Sequence, residues 1–171
     1  MKMLMGVALL AITAAGQTPA AQTKNADPWK PFQFLMGEWV GEGGGGPGQG
    51  GGGFSLQFDL QRQVLVRKNF ADYPAQDGRP AVHHEDLMII YLDDRSKSPR
   101  AIYFDSEGHT IRYTVAPARG GLVFESEAGE PGPHYRLSYT PSDQRVNGKF
   151  ELSAPGQSEY KTYLDFSAHR K

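Results

Sequence analysis

Phe54-Ser55-Leu56-Gln57-Phe58-Asp59-Leu60-Gln61 alternates apolar and polar side chains at every step. Successive side chains of an extended chain point to opposite faces. A period of two therefore predicts a strand with one face on a core and the other in water. The chain repeats this kind of segment downstream. Gln63 to Ala71 predicts a second strand, with Val64, Val66 and Phe70 as its expected apolar face. His84 to Leu92 predicts a third, apolar on both faces through Met88-Ile89-Ile90-Tyr91. Ala101 to Asp105 and His109 to Ala116 flank a turn at Ser106-Glu107-Gly108. Gly121 to Glu125, His134 to Thr140, Val146 to Ser153 and Tyr160 to Ala168 follow. Gly, Pro, Asn and Asp separate the runs, as turns require.

Upstream, Asp27-Pro28 reads as a capping side chain with proline in the first turn, so residues 28–36 predict a short helix or turn. Trp29, Phe32, Phe34, Leu35 and Met36 give it enough apolar mass to plug one end of a barrel. Counting residues 37–43 as well, the chain holds about ten short strands with short connections, the pattern of an all-β, antiparallel up-and-down β-barrel. Closure removes exposed sheet edges, which suits a chain without cysteine and hence without disulfides. The glycine-rich stretch Gly43 to Gly53 offers no side chains to bury and predicts a flexible loop. It lacks the Lys-Ser/Thr or the G-x-G-x-x-G context of a phosphate-binding loop.

The N-terminus bounds the compartment. Lys2, the apolar run Leu4 to Ala15 and small residues through Ala21 have the order of a secretory signal, with cleavage after Gly16, Ala20 or Ala21. The run is too short to span a bilayer. The expected organisation is a signal peptide over 1–21, an N-terminal segment over 22–36 and a barrel domain over 37–171, periplasmic or secreted, with no membrane span in the mature protein. The net charge is −1, with no basic run, which removes the electrostatic footprint of nucleic-acid binding.

Gly37-Glu38-Trp39-Val40-Gly41-Glu42-Gly43 sits where the first strand should begin. Glycines let a strand coil sharply, and an indole fills a closed end. This motif resembles the calycins, in which a tryptophan two residues after a glycine closes the barrel floor. Its fuller G-x-W-x-G-x-G form is similar to nitrobindin-like haem-binding barrels. Val66–Ala71 and Tyr103–His109 also resemble a bacterial calycin-like family, without adding chemistry. The nitrobindin-like resemblance implies a haem-ligating histidine in a C-terminal His-Leu-x-Ala-x-x-x-Arg pattern. Here Tyr163 precedes Leu164, Phe166 takes the alanine position and Arg170 the closing arginine. The missing histidine counts against haem, although tyrosine can ligate haem iron.

Two polar sets are candidates for chemistry. The first is His83-His84-Glu85-Asp86 with Asp105, Glu107 and His109. If the strands form a meander, His84, Asp86, Asp105, Glu107 and His109 gather at one rim. His84, Asp105 and His109 would there offer ligands to a divalent metal, or an acid and a base. The alternative is a solvated rim of ordinary turn residues. The second set is aromatic and cationic. Trp39, Tyr103, Tyr113, Tyr139 and Tyr163 fall on strands, and Arg67 and Arg112 sit mid-strand, as does Arg136. A mid-strand arginine turned inward must meet water or an anion. The fatty-acid-binding branch of the calycins uses interior arginine and tyrosine for a carboxylate, so the resemblance implies such a site. The opposite reading, with these side chains outside, is equally simple, because the period does not say which face is inward.

Three functions remain open on the sequence. The first is a barrel that binds a small, largely apolar or amphipathic molecule in its interior without catalysis. The second is an enzyme with a His/Asp rim site, with or without metal. The third is a structural or partner-binding domain without ligand.

Overall fold

A computed structural model describes residues 27–43, 51–76, 78–118, 120–127 and 132–171. The expected signal peptide and the glycine-loop residues 44–50 lie outside these. Ten strands are present: β1 (Gly37–Gly41), β2 (Gly51–Asp59), β3 (Val64–Tyr73), β4 (Val82–Leu92), β5 (Pro99–Asp105), β6 (Thr110–Ala118), β7 (Gly121–Ser126), β8 (His134–Ser142), β9 (Arg145–Ser153) and β10 (Lys161–Arg170). They close into one antiparallel barrel, each strand beside its neighbours in sequence and β1 pairing with β10. A 3-10 helix, Lys30–Leu35, precedes the barrel. No described helix is long and apolar enough to cross a membrane.

The helix closes one end, the base. Asp27 starts it by accepting from the backbone N–H of Trp29 at 2.9 Å. Trp29, Phe32 and Leu35 are buried in a core shared with Trp39, Leu56, Leu65, Ile90, Leu122 and Val146. Trp39 donates its indole N–H to the Leu35 carbonyl at 2.9 Å. Arg170 lies 4.6 Å over the Trp39 ring and donates to the Met36 carbonyl at 2.8 Å. Each polar tip that enters the base thus finds a backbone partner while its body fills space.

Two expectations need correction. Gly51, Gly52 and Gly53 are not part of a loop but open strand β2. Glycine is required there, since a Cβ on Gly53 would lie 2.1 Å from the Trp39 carbonyl oxygen, and one on Gly52 2.2 Å from that of Phe70. The strands therefore approach more closely than side chains allow. On β3 the expected apolar face is the outer one. Leu65 and Arg67 are buried, whereas Phe70 is 45% exposed. Val66 pairs with Ile89, and Ile89 with Ile102, so these three make an apolar row across the outside of the barrel.

Candidate functional site

The strand register decides which residues meet inside. Odd positions of β3, β5, β6 and β8 and even positions of β4, β7, β9 and β10 face inward, as burial shows at Leu65, Ala101, Tyr113, Tyr139, Met88, Phe124, Val146 and Ala168. At the base these inward residues are apolar. Toward the opposite end, the mouth, Arg67, Asn69, His84, Asp86, Tyr103 and Asp105 share the interior face of three adjacent strands.

Arg67 and Asp86 form an ion pair with 8% and 5% side-chain exposure. Asn69 donates to the second Asp86 oxygen at 2.8 Å, and His84 Nε2 lies 3.4 Å from that oxygen. The other ring nitrogen of His84 contacts Glu107 at 2.9 Å. A chain of polar contacts thus runs from the rim at Glu107 through His84 and Asp86 to Arg67 in mid-barrel. Burial alone would raise the Asp86 pKa, but the adjacent Arg67 outweighs it and holds the carboxyl below its ordinary value, aided by His84 and Asn69. His84 is pushed up to about 9, first by its hydrogen bond to Asp86 and then by Glu107, against partial burial. Burial raises the pKa of Tyr103, Tyr113 and Tyr139, so the three phenols stay protonated.

The pair is incompletely satisfied. Among the described residues, the Arg67 Nε–H and the Tyr139 hydroxyl are buried without a hydrogen-bond partner. The Arg67 guanidinium carbon lies 6.0 Å from the Tyr139 ring centre and 5.3 Å from that of Phe54. A guanidinium only donates, so the weak contact by which Arg67 lowers the Tyr139 pKa runs from the guanidinium to the phenol oxygen and leaves the phenol O–H without an acceptor. What this spot lacks is an acceptor. Buried donors without one cost about 1–3 kcal/mol each, and native proteins carry few of them.

Above this spot the interior is aromatic and half-open. Tyr103, Ile111, Tyr135, Phe150, Leu164 and Phe166 are inward residues that keep partial exposure. Tyr135 and Phe150 stack at 5.7 Å, and Phe166 meets Tyr139 edge-on at 6.1 Å. Phe166 fits because β9 carries Gly148 beneath it, where a Cβ would lie 2.1 Å from the ring. Two hollows of about 330 and 240 Å³ lie instead at the base, beside Pro31 and Pro117. The first is lined by Pro31, Phe34, Pro117, Ala118 and two glycines, and the second adds Lys97 and Ser98 at its edge, but among the described residues neither holds a buried unpaired donor, whereas the barrel interior toward the mouth does. The mouth is therefore the candidate site.

The residues singled out from sequence separate here. Arg67, Tyr103, Tyr113 and Tyr139 are brought together inside, and Trp39 lies at the base. Arg112 points outward, pairs across strands with Ile102 and is exposed, which corrects its expected place in the interior. Arg136 is outside too, with Glu151 at 2.8 Å and Tyr160 beneath it. Tyr163 stands at a β-bulge between Thr162 and Leu164, 63% exposed, its ring edge-on to Phe150. It borders the mouth and does not reach the interior donors.

His84, Asp86, Asp105, Glu107 and His109 do gather at one rim. The donor atoms of Asp105, Glu107 and His109 lie within 4.8 Å of one another, while His84 joins them through Glu107 and through the Tyr103 hydroxyl, which lies 3.5 Å from His84 Nε2 and 3.4 Å from Asp105. Asp105 accepts from the backbone N–H groups of Glu107 and His109 at 3.1 and 2.8 Å, and its other oxygen contacts the His109 ring at 2.8 Å. That is how an aspartate holds a tight turn. The sequence reading did not assign Asp86, Asn69, Phe166 or Gly148 to the interior site. The shared parity of His84, Asp86, Met88 and Ile90 was the available signal for Asp86, obscured because Ile89 and Tyr91 are apolar too. No protein-family model matches this chain, and no curated protein does.

Proposed function

We propose that this protein is an exported, calycin-like binding barrel that takes a small, largely apolar or amphipathic molecule into its mouth, without catalysis. The observation that carries this reading is the pair of buried donors, Arg67 Nε–H and Tyr139 O–H, without an acceptor at the foot of an aromatic, half-open chamber. A ligand oxygen would satisfy both. Its apolar body would lie against Tyr135, Phe150, Ile111 and Phe166, gaining about 25 cal/mol per Å² of apolar surface removed from water. Resemblance at Gly37-Glu38-Trp39 and the charge-apolar-small order of residues 1–21 support the calycin and export parts.

Titration with N-phenyl-1-naphthylamine, a dye that brightens in apolar surroundings, tests the reading. Saturable binding at one site, weakened by Phe150→Arg at the mouth and unaffected by Val123→Arg on the outer wall, is expected. Dye binding that ignores Phe150→Arg, together with a ligand-free native mass for protein from its own compartment, would overturn it. Cell fractionation with N-terminal sequencing tests export, with a mature chain starting at residue 17, 21 or 22 expected.

A further inference from the structure

We infer that the polar end of the ligand is an uncharged hydrogen-bond acceptor, such as an ester, ketone or amide carbonyl, and not a carboxylate. The inference rests on the interior-binding reading above and adds the ligand's chemical class. Three observations lead to it.

First, the charge that a carboxylate would seek is already neutralised. Arg67 is the buried cation, and Asp86 is its buried partner. The second Asp86 oxygen is held by Asn69 and by His84, so the aspartate is anchored from three sides and does not yield its place easily. The remaining histidine charge on His84 faces Glu107. An entering carboxylate would add a second anion beside Asp86 with no unpaired cation to meet it, and like charges in a desolvated site repel strongly.

Second, the groups without a partner call for an acceptor atom, not for a charge. The groups left over are one N–H and one O–H. A single carbonyl oxygen has two lone pairs and can accept from both. The phenol stays a donor, because burial and the neighbouring Asp86 raise its pKa.

Third, on the side of β8, β9 and β10 the approach to those donors is aromatic, while the polar wall opposite is already paired. Phe166 packs edge-on against Tyr139 across Gly148, in one cross-strand row. A group that contacts the Tyr139 hydroxyl lies beside the rings of Phe54, Phe124 and Phe166. Desolvation penalises an ion far more than a carbonyl.

The test compares two ligands of the same chain length, methyl laurate and laurate, by calorimetry at neutral pH on the whole mature protein. Methyl laurate is expected to bind at least about tenfold more tightly, the weight of roughly one hydrogen bond. Tyr139→Phe should reduce that affinity by about tenfold, whereas Val123→Arg on the outer wall should leave it unchanged. Asp86→Asn, which frees the Arg67 charge, should shift the preference toward laurate. Laurate binding as tightly as its ester to the native protein, or an ester affinity indifferent to Tyr139→Phe, would overturn the inference and leave interior binding intact. If neither ligand nor the dye binds, interior binding itself falls, and the inference with it.

Discussion

At the base of the barrel, the buried Trp39 and the exposed Arg170 lay polar groups against an apolar floor, and each finds a backbone carbonyl. In mid-barrel, below the mouth, Arg67 and Tyr139 are buried, and each keeps a donor without a partner. The strands, the alternation and the closure are common to both ends. The difference lies in what covers the polar tips. The base is capped by the chain's own helix, whose terminal carbonyls supply acceptors. Among the described residues nothing caps the mouth, so its donors face an aromatic chamber. A fold satisfies its polar groups where it builds only itself. Two donors left unsatisfied in one place, among the described residues, are the observation on which the binding proposal stands.

The contrast can be broken most forcefully at Asp86. Asp86→Ala leaves Arg67 as a buried, unpaired cation, and urea unfolding should show a loss of about 3–5 kcal/mol. Replacing both partners, as Arg67→Met with Asp86→Leu, should recover most of that loss. A single mutant as stable as the native protein would show that the ion pair does not hold this half of the barrel.

Gly148→Ala comes next. Its new methyl meets the Phe166 ring, so the ring must swing outward, at a cost of about 1–3 kcal/mol. Protection of the Tyr139 side chain, followed by NMR, should fall with it. Unchanged protection would mean that Phe166 does not cover this site.

A smaller effect should follow pH. His84 has a folded pKa raised from 6.5 to about 9, so its contribution to stability is complete below about 6.5 and lost as pH rises through 9. Asp86 has a lowered folded pKa, so its contribution holds at neutral pH and is lost as pH falls through that lowered value. Urea midpoints should therefore decline from pH 6 to pH 9.5 and again in acid. His84→Gln should flatten most of the alkaline decline, leaving the smaller part due to the exposed His83, and should soften the acid decline, because His84 helps hold the Asp86 pKa down. An alkaline decline that His84→Gln leaves undiminished would sink this assignment.

The smallest change sharpens the comparison most. Tyr139→Phe deletes a hydroxyl that has no acceptor, so the ligand-free protein should lose nothing or gain up to about 1 kcal/mol. Trp39→Phe at the base deletes a donor that is used, strands the Leu35 carbonyl and should cost about 1 kcal/mol. Equal losses from the two substitutions would erase the distinction between the ends.

Much of the architecture was legible along the chain. The alternation Phe54 to Gln61 and the turn at Ser106-Glu107-Gly108 reported strands and turns because period and turn chemistry are local. The gathering of His84, Asp105 and His109 at one rim also followed, since adjacent antiparallel strands bring their linked ends together. The inward face was less legible. Val64, Val66 and Phe70 read as the core side of β3, and they lie outside, while Leu65 and Arg67 lie within. Hydrophobicity marks a face as apolar, and here both faces are. The outer row of Val66, Ile89 and Ile102 is as apolar as a core strand.

The sequence by itself determined that this chain makes about ten short strands without disulfides, begins them at Gly37-Glu38-Trp39, and places a plug of aromatics before them. These follow from local rules: side-chain period, turn residues and the size of an indole. Only the tertiary structure decided that Arg67 turns inward while Arg112 turns out, that Asp86 meets Arg67, and that Tyr139 is left with an unanswered hydrogen. A slip of one residue in pairing would exchange every inward side chain for its neighbour. Register is fixed by the whole closed barrel, in which glycines at 52, 53 and 148 admit backbone and rings no other residue would. The site depends on that register, and so it could not be read from any single strand.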